Sequence, residues 1–286
     1  MTLSELITEA ARRLEAAGVA FGHGTTNAFD EAAWLVLWQL GLPLDTDIEA
    51  ESAREVEPQA ALALIAQRIA TRQPAAYLTR EAWLQGVPFY VDERTIVPRS
   101  FIAELIADGA IDPWLSDQTQ NVLDLCTGNG SLAVLAALAW PDVRVTGADL
   151  SPDALAVAAK NVARHGLQDR ITLHQGDGLA AVAGQRFDLV LCNPPYVNAT
   201  SMAALPAEYR AEPGLALASG SDGMDFCRAL LRDLPARLSP QGVLVLEIGN
   251  ERANFEAAFP DLEPVWLSTS AGDDQVLLLT GADLRR

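Results

Sequence analysis

From about Pro98 onward the chain alternates short, almost wholly apolar runs with amphipathic ones, and few folds accept that alternation. The segments NVLDLC, RVTGAD, ITLHQGD and FDLVLCN read as strands, with helical patterns in SLAVLAALAW and SPDALAVAAKNVARHG between the early ones. Strands apolar on both faces need helices on both sides, so the expected class is α/β, a doubly wound and mainly parallel sheet. Downstream lie a helical pattern around 224–238, the strand GVLVLEIG, a helical pattern at 251–258, and strands near EPVWLSTS and DQVLLLT. The SAGDD connection between the last two is too short for a crossover helix, which makes them antiparallel neighbours.

The region before this alternation has a different rhythm. MTLSELITEAARRLEAAG sets Leu3, Leu6, Ile7, Ala10 and Leu14 at helical spacing, the pattern of an amphipathic helix and not of a secretory leader. EAAWLVLWQLGL and EPQAALALIAQRIATRQ read the same way, giving a small all-helical domain over 1–80. His23, between glycines in the GHGT turn, reads as a turn or partner-surface residue. Trp83–Val97 alternates and turns around Gly86 and Asp92-Glu93, so 81–97 is expected to form a β-hairpin linker ahead of a third segment, 98–286.

Charge narrows the partners. The 286 residues carry 38 Asp+Glu against 20 Lys+Arg, a formal net charge of −18, and the sole lysine is Lys160. Such a surface repels phosphate backbones and attracts basic partners. Three cysteines make no disulfide framework, and no CxxC or His-rich cluster suggests a metal. No run of about eighteen apolar residues is present to span a membrane, and a reducing cytoplasm is the simplest setting.

Candidate chemistry sits at the strand ends. In LDLCTGNGSLA, Gly128 and Gly130 follow the first strand, where they let backbone amides approach a ligand. Asp149 ends the second strand, placed to accept from two ribose hydroxyls. These residues alone also fit a dinucleotide fingerprint, and an NAD-dependent dehydrogenase stays open on them. Three features weigh against it: Asp124 inside the first strand, Asp177 between two glycines after the third, and an antiparallel last strand. In FDLVLCNPPYV two prolines stop the fourth strand at Asn193 and leave a polar side chain rigidly held.

The series Asp124…Thr127-Gly128-Asn129-Gly130, Asp149, Asp177 and Asn193-Pro194-Pro195-Tyr196 resembles the class I methyltransferases, which use S-adenosyl-L-methionine and release S-adenosyl-L-homocysteine. The resemblance implies a seven-stranded sheet with an antiparallel last strand, and places all these residues through Asn193 at the cofactor. That family often has Gly where Cys126 stands and Ser where Asn129 stands. Its Asn-Pro-Pro-Tyr members methylate a planar nitrogen, in nucleic-acid bases or in the glutamine side-chain amide. The resemblance implies that the Asn193 side-chain oxygen and the Pro194 carbonyl each accept one N–H. Pro195 keeps them rigid, and Tyr196 packs on the flat amide.

The acidic surface favours a protein target over nucleic acid. A helical region, a hairpin and an Asn-Pro-Pro-Tyr domain are the layout of the bacterial protein-glutamine methyltransferases, and AAYLTREAWLQGVPFYVDERTIVPRS and EPGLALASGSDG match their segments. Release-factor enzymes of that group carry Pro-Arg-Pro-Glu-Thr-Glu where this chain has Pro98-Arg99-Ser100-Phe101-Ile102-Ala103, followed by Glu104. FGHGTTNAFDEA, YVDERTIVPRS and LPAEYRAEPGLALASG instead resemble the enzymes that act on large-subunit ribosomal protein L-three, a basic partner. The same resemblance suggests Tyr209, Arg210 and Glu212 as a lid or target loop. Arg99 is placed to meet a cofactor carboxylate, a target backbone, or merely an ion-pair partner. An adenosylmethionine-binding assembly factor without activity is the remaining alternative. Cys126 and Cys192 end neighbouring strands and are expected to lie close as pocket-wall residues.

Overall fold

The computed structural model describes residues 1–285. Its first helix, α1 (Leu3–Ala16), starts where Thr2 and Glu5 form a reciprocal capping box. With α2 (Ala28–Gln39) and α3 (Gln59–Thr71) it buries Leu3, Leu6, Ile7, Leu14, Leu35 and Ile65 in one core. The short α4 (Ala75–Thr79) leads into a hairpin of β1 (Glu81–Leu84) and β2 (Val87–Tyr90), which turns at Gln85-Gly86 with both residues at positive φ. Asp92-Glu93 lies beyond the hairpin, in a separate turn closed by Thr95 N–H on the Asp92 carbonyl.

After α5 (Ile102–Ala107) the doubly wound unit runs β3 (Asn121–Leu125), α6 (Ser131–Ala139), β4 (Arg144–Asp149), α7 (Pro152–Arg164), β5 (Ile171–Gln175) and β6 (Phe187–Cys192). It continues through α8 (Ala199–Ala204), α9 (Asp225–Asp233), β7 (Leu238–Glu247), α10 (Arg252–Ala258), β8 (Val265–Thr269) and β9 (Gly272–Thr280). The seven strands lie in the order β5-β4-β3-β6-β7-β9-β8, with only β9 antiparallel to its neighbours. The last strand is therefore inserted between β7 and β8.

Period-2 alternation splits the sheet's side chains between two cores. Val122, Leu189, Leu191 and Val245 face the α5–α6 side; Leu123, Leu125, Val190 and Leu246 face the α9–α10 side. The strand order reverses between β3 and β6, and in open parallel sheets ligands bind outside the carboxyl ends at such a switch point. Fully buried Asn161 on α7 pins the hairpin there. It exchanges hydrogen bonds with the Tyr90 backbone at 2.7 and 2.9 Å and donates to the Asn129 carbonyl at 2.8 Å.

Candidate active site

A cavity of about 460 Å³ opens at this switch point. The turns after β3, β4, β5 and β6 supply Cys126, Gly128, Asp149, Asp177, Asn193 and Pro195 to its wall. Its roof is the segment 213–220 with Phe226 of α9. Val197 and Ala218 bridge the two ends of the intervening loop.

Beneath the cavity, the first turn is organised by Asp124. Its Oδ2 accepts from the Thr127 hydroxyl at 2.5 Å and from the Ala133 backbone N–H at 2.9 Å. Burial pushes this carboxyl up to about 7, against those two donors. Cys126 takes the left-handed conformation with φ 63°, a strained setting for a side chain bearing Cβ. Gly130, φ 80°, lets α6 approach α7 so closely that a Cβ there would sit 3.1 Å from that of Ala158. Thr127, Asn129, Gly130 and Asp124 thus build the turn and do not line the cavity. Only Gly128, Asp149, Asp177 and Asn193, of the residues assigned to the cofactor from sequence, line it.

Asp149 accepts Gly128 N–H on Oδ2 and Ser151 N–H on Oδ1, both at 2.9 Å, and burial raises its pKa. The Gly128 amide, the donor a dinucleotide site would turn on pyrophosphate, is therefore directed to a carboxylate. Arg94, the basic residue on the cavity wall, is held by Asp92 at 2.6 and 2.8 Å. The lining suits hydroxyls and a cationic sulfur better than phosphates.

On the second turn Pro194 is buried while Asn193, Pro195 and Tyr196 are half-buried. Tyr196 seats its ring on Gly249, where a Cβ would meet the ring carbons, and donates to Glu247 Oε1 at 3.4 Å. Burial and the facing Glu247 raise the Tyr196 hydroxyl's pKa. Sequence reasoning missed Glu247; the one signal was a glutamate closing the apolar run GVLVLE, just as Asp124 interrupts VLDL. Cys126 and Cys192 are neighbours as expected, and burial together with Cys126 and Cys227 pushes the Cys192 thiol up, away from reactivity.

The candidate target-loop residues mostly turn inward. Arg99 grips Glu212 through both nitrogens at 2.6 and 2.7 Å, and Val97 N–H adds a third bond at 2.8 Å. His23 does lie in a turn, where Gly22 N–H bonds the Thr25 carbonyl at 2.8 Å, but the alternative of a partner-surface residue fails on burial. His23 is 1% exposed, packs against Tyr209 with the rings tilted by 51° and their centroids 4.3 Å apart, and brings Nε2 to 3.6 Å from Glu212. Burial alone would raise the Glu212 carboxyl, yet His23 and Arg99 hold it down at about 2. Glu208 is likewise buried, against Arg72 at 3.2 Å and Arg68 at 3.6 Å. Arg210 is exposed. Among the described residues no group of three His, Cys, Asp or Glu is placed to hold a metal, and no helix is long and apolar enough to cross a membrane.

Comparison with known proteins agrees with this geometry. Residues 111–208 match the methyltransferase small domain family. Two solved structures share the fold over 77% of this chain. They are the hMettl16 catalytic domain in complex with MAT2A 3'UTR hairpin 6 (79% of that chain, TM-score 0.53, 13% identity) and a methyltransferase from Pyrococcus furiosus (97% of that chain, TM-score 0.50, 18% identity). The sheet has the fold of these methyltransferases. Ribosomal protein uL3 glutamine methyltransferases from Bordetella pertussis and Burkholderia pseudomallei are 56% and 54% identical over 99% of this chain and 96% and 95% of their own lengths. The chain belongs to the ribosomal protein uL3 glutamine methyltransferase family.

Proposed function

We propose that this chain transfers a methyl group from S-adenosylmethionine to the side-chain amide nitrogen of a glutamine in ribosomal protein uL3. The observation that carries the reading is the meeting of Asn193 and Pro195 with Asp149 and Asp177 around one cavity. When bound, S-adenosylmethionine supplies an electrophilic methyl group on a sulfonium. Asp149 would hold the ribose hydroxyls, since each of its oxygens has given only one lone pair to a backbone N–H. Asp177 would take a donor of the adenine, and Gly128 and Cys126 would form the floor.

An amide nitrogen is a poor nucleophile because its lone pair is delocalised. Asn193 Oδ1 and the Pro194 carbonyl would accept its two N–H bonds, orienting the nitrogen and favouring the positive charge that grows on it. Two prolines keep these acceptors fixed before the target arrives, so little reorganisation is left for the reaction. The net charge of −18 favours a basic ribosomal protein over nucleic acid, and the Arg99-Ser100-Phe101 sequence separates the chain from the release-factor enzymes it otherwise resembles.

The test is transfer of a tritiated methyl group to uL3 from cells lacking the enzyme, with release factor offered at matched concentration. Label should enter uL3 and fall with added salt. Faster labelling of release factor would move the chain to that branch.

A further inference from the structure

We propose that Glu247 is a positioning residue for this reaction: it holds Tyr196, and through it the Asn193-Pro194-Pro195 turn, against the segment carrying Ser100. The inference rests on the reading of that turn as the amide clamp. Glu247 ends β7 one strand away from the clamp and is 1% exposed. Three donors from two separate parts of the chain converge on it. Ser100 Oγ–H and Phe101 N–H reach Oε2 at 2.6 and 2.9 Å, and the Tyr196 hydroxyl reaches Oε1 at 3.4 Å. Two glycines enforce the seat: a Cβ at Gly249 would enter the Tyr196 ring, and one at Gly223 would strike the Tyr196 carbonyl oxygen.

An ionised Glu247 accepts from all three donors, whereas a protonated one carries an O–H of its own. Two donors already hold Oε2, so the proton goes to Oε1, where Glu247 must donate to the Tyr196 oxygen and a neutral bond replaces a charge-assisted one. Burial pushes this carboxyl up to about 7, so the change falls within the working range of a neutral enzyme. The surrounding charges do not replace it in this role. Arg99 and Glu212 neutralise each other, Glu104 bonds Ser270, and Glu251 bonds Asn198 and Asn254. Asp124, also near 7, binds only Thr127 and Ala133. The clamp is thus set when Glu247 is ionised and loosens as the pH falls through about 7.

The test labels the four tyrosines with carbon-13 at Cζ and assigns Tyr196 by Tyr196→Phe. The Tyr196 resonance should shift with a midpoint near 7 in the wild type and lose that midpoint in Glu247→Gln, with no substrate present. In parallel, methyl transfer by the wild type should fall below that midpoint and level off roughly five- to twentyfold down, while Glu247→Gln is flat there, with kcat at pH 8 already lowered by that factor and donor Kd within about twofold. Should Glu247→Gln fold poorly, Ser100→Ala removes one donor and must move the midpoint upward. A Tyr196 resonance indifferent to pH, or a Glu247→Gln enzyme with the wild-type rate and pH profile, overturns the proposal. A wild type that labels no uL3 but shows the Tyr196 midpoint instead refutes the target assignment and leaves the positioning role standing.

Discussion

Two strand ends carry a buried carboxylate, and they differ in how far they reach. Asp124 at the end of β3 bonds Thr127 and Ala133, both within nine residues. Glu247 at the end of β7 bonds Ser100, Phe101 and Tyr196, the nearest of them 51 residues away. Burial pushes both up to about 7. Equal chemistry therefore serves two ends: the first carboxylate shapes one turn, and the second ties three separate parts of the chain together. The cavity inherits the division, with a donor side resting on Asp124 and an amide side backed by Glu247.

The widest separation of the two sides should come from Asn193→Ala. Turnover should fall by about two to three orders of magnitude with donor affinity within a few-fold, because that oxygen acts mainly in the transition state. Single-turnover kinetics with calorimetry checks this; equal losses in both would erase the division. On the donor side Asp149→Ala should weaken S-adenosylmethionine binding by roughly 2–3 kcal/mol, the scale of charge-assisted hydrogen bonds. Calorimetric binding of NAD in place of S-adenosylmethionine would remove the donor side altogether.

Stability against pH compares the carboxylates directly. Each folded pKa is raised, so each stabilising contribution is full below the ordinary carboxylate range and lost as the pH climbs to about 7. Relative to wild type, Asp124→Asn and Glu247→Gln should both gain stability between pH 5 and 8, by about 1–3 kcal/mol in denaturant titrations. A gain for only one of them would show that the two environments differ more than their burial. The smallest effect belongs to Cys126→Gly. Relief of the left-handed strain and the added unfolded-state entropy nearly cancel, leaving a change within about 1 kcal/mol by thermal melting and donor affinity within about twofold.

The same contrast of reach explains what was legible in the sequence. LDLCTGNGSLA announced its turn because every partner of Asp124 lies in that stretch, and β9 was antiparallel because SAGDD leaves no room for a crossover. The 149 position followed from spacing alone. Thr127 and Asn129 were assigned to the cofactor, yet the tight turn directs them into its own hydrogen bonds. Glu247 and His23 stayed hidden since their partners lie in other segments, and no periodicity records a contact across 51 or nearly 190 residues. The family resemblance supplied the clamp and the target, which residue patterns did not.

One further property follows from the loop between the clamp and the cavity roof. There Glu208 finds its counter-charges in Arg68 and Arg72 of the helical region, and Glu212 pairs with Arg99 and faces His23 of that region. Cutting away residues 1–80 would strand Glu208 without either arginine and leave Glu212 to Arg99 and the Val97 N–H alone, beside the roof of the donor cavity. A truncated enzyme would therefore fail for a reason unrelated to target recognition. The helical region is not an exchangeable module: grafting one from a relative would transplant target preference only if its arginines and histidine matched the loop it comes to rest on.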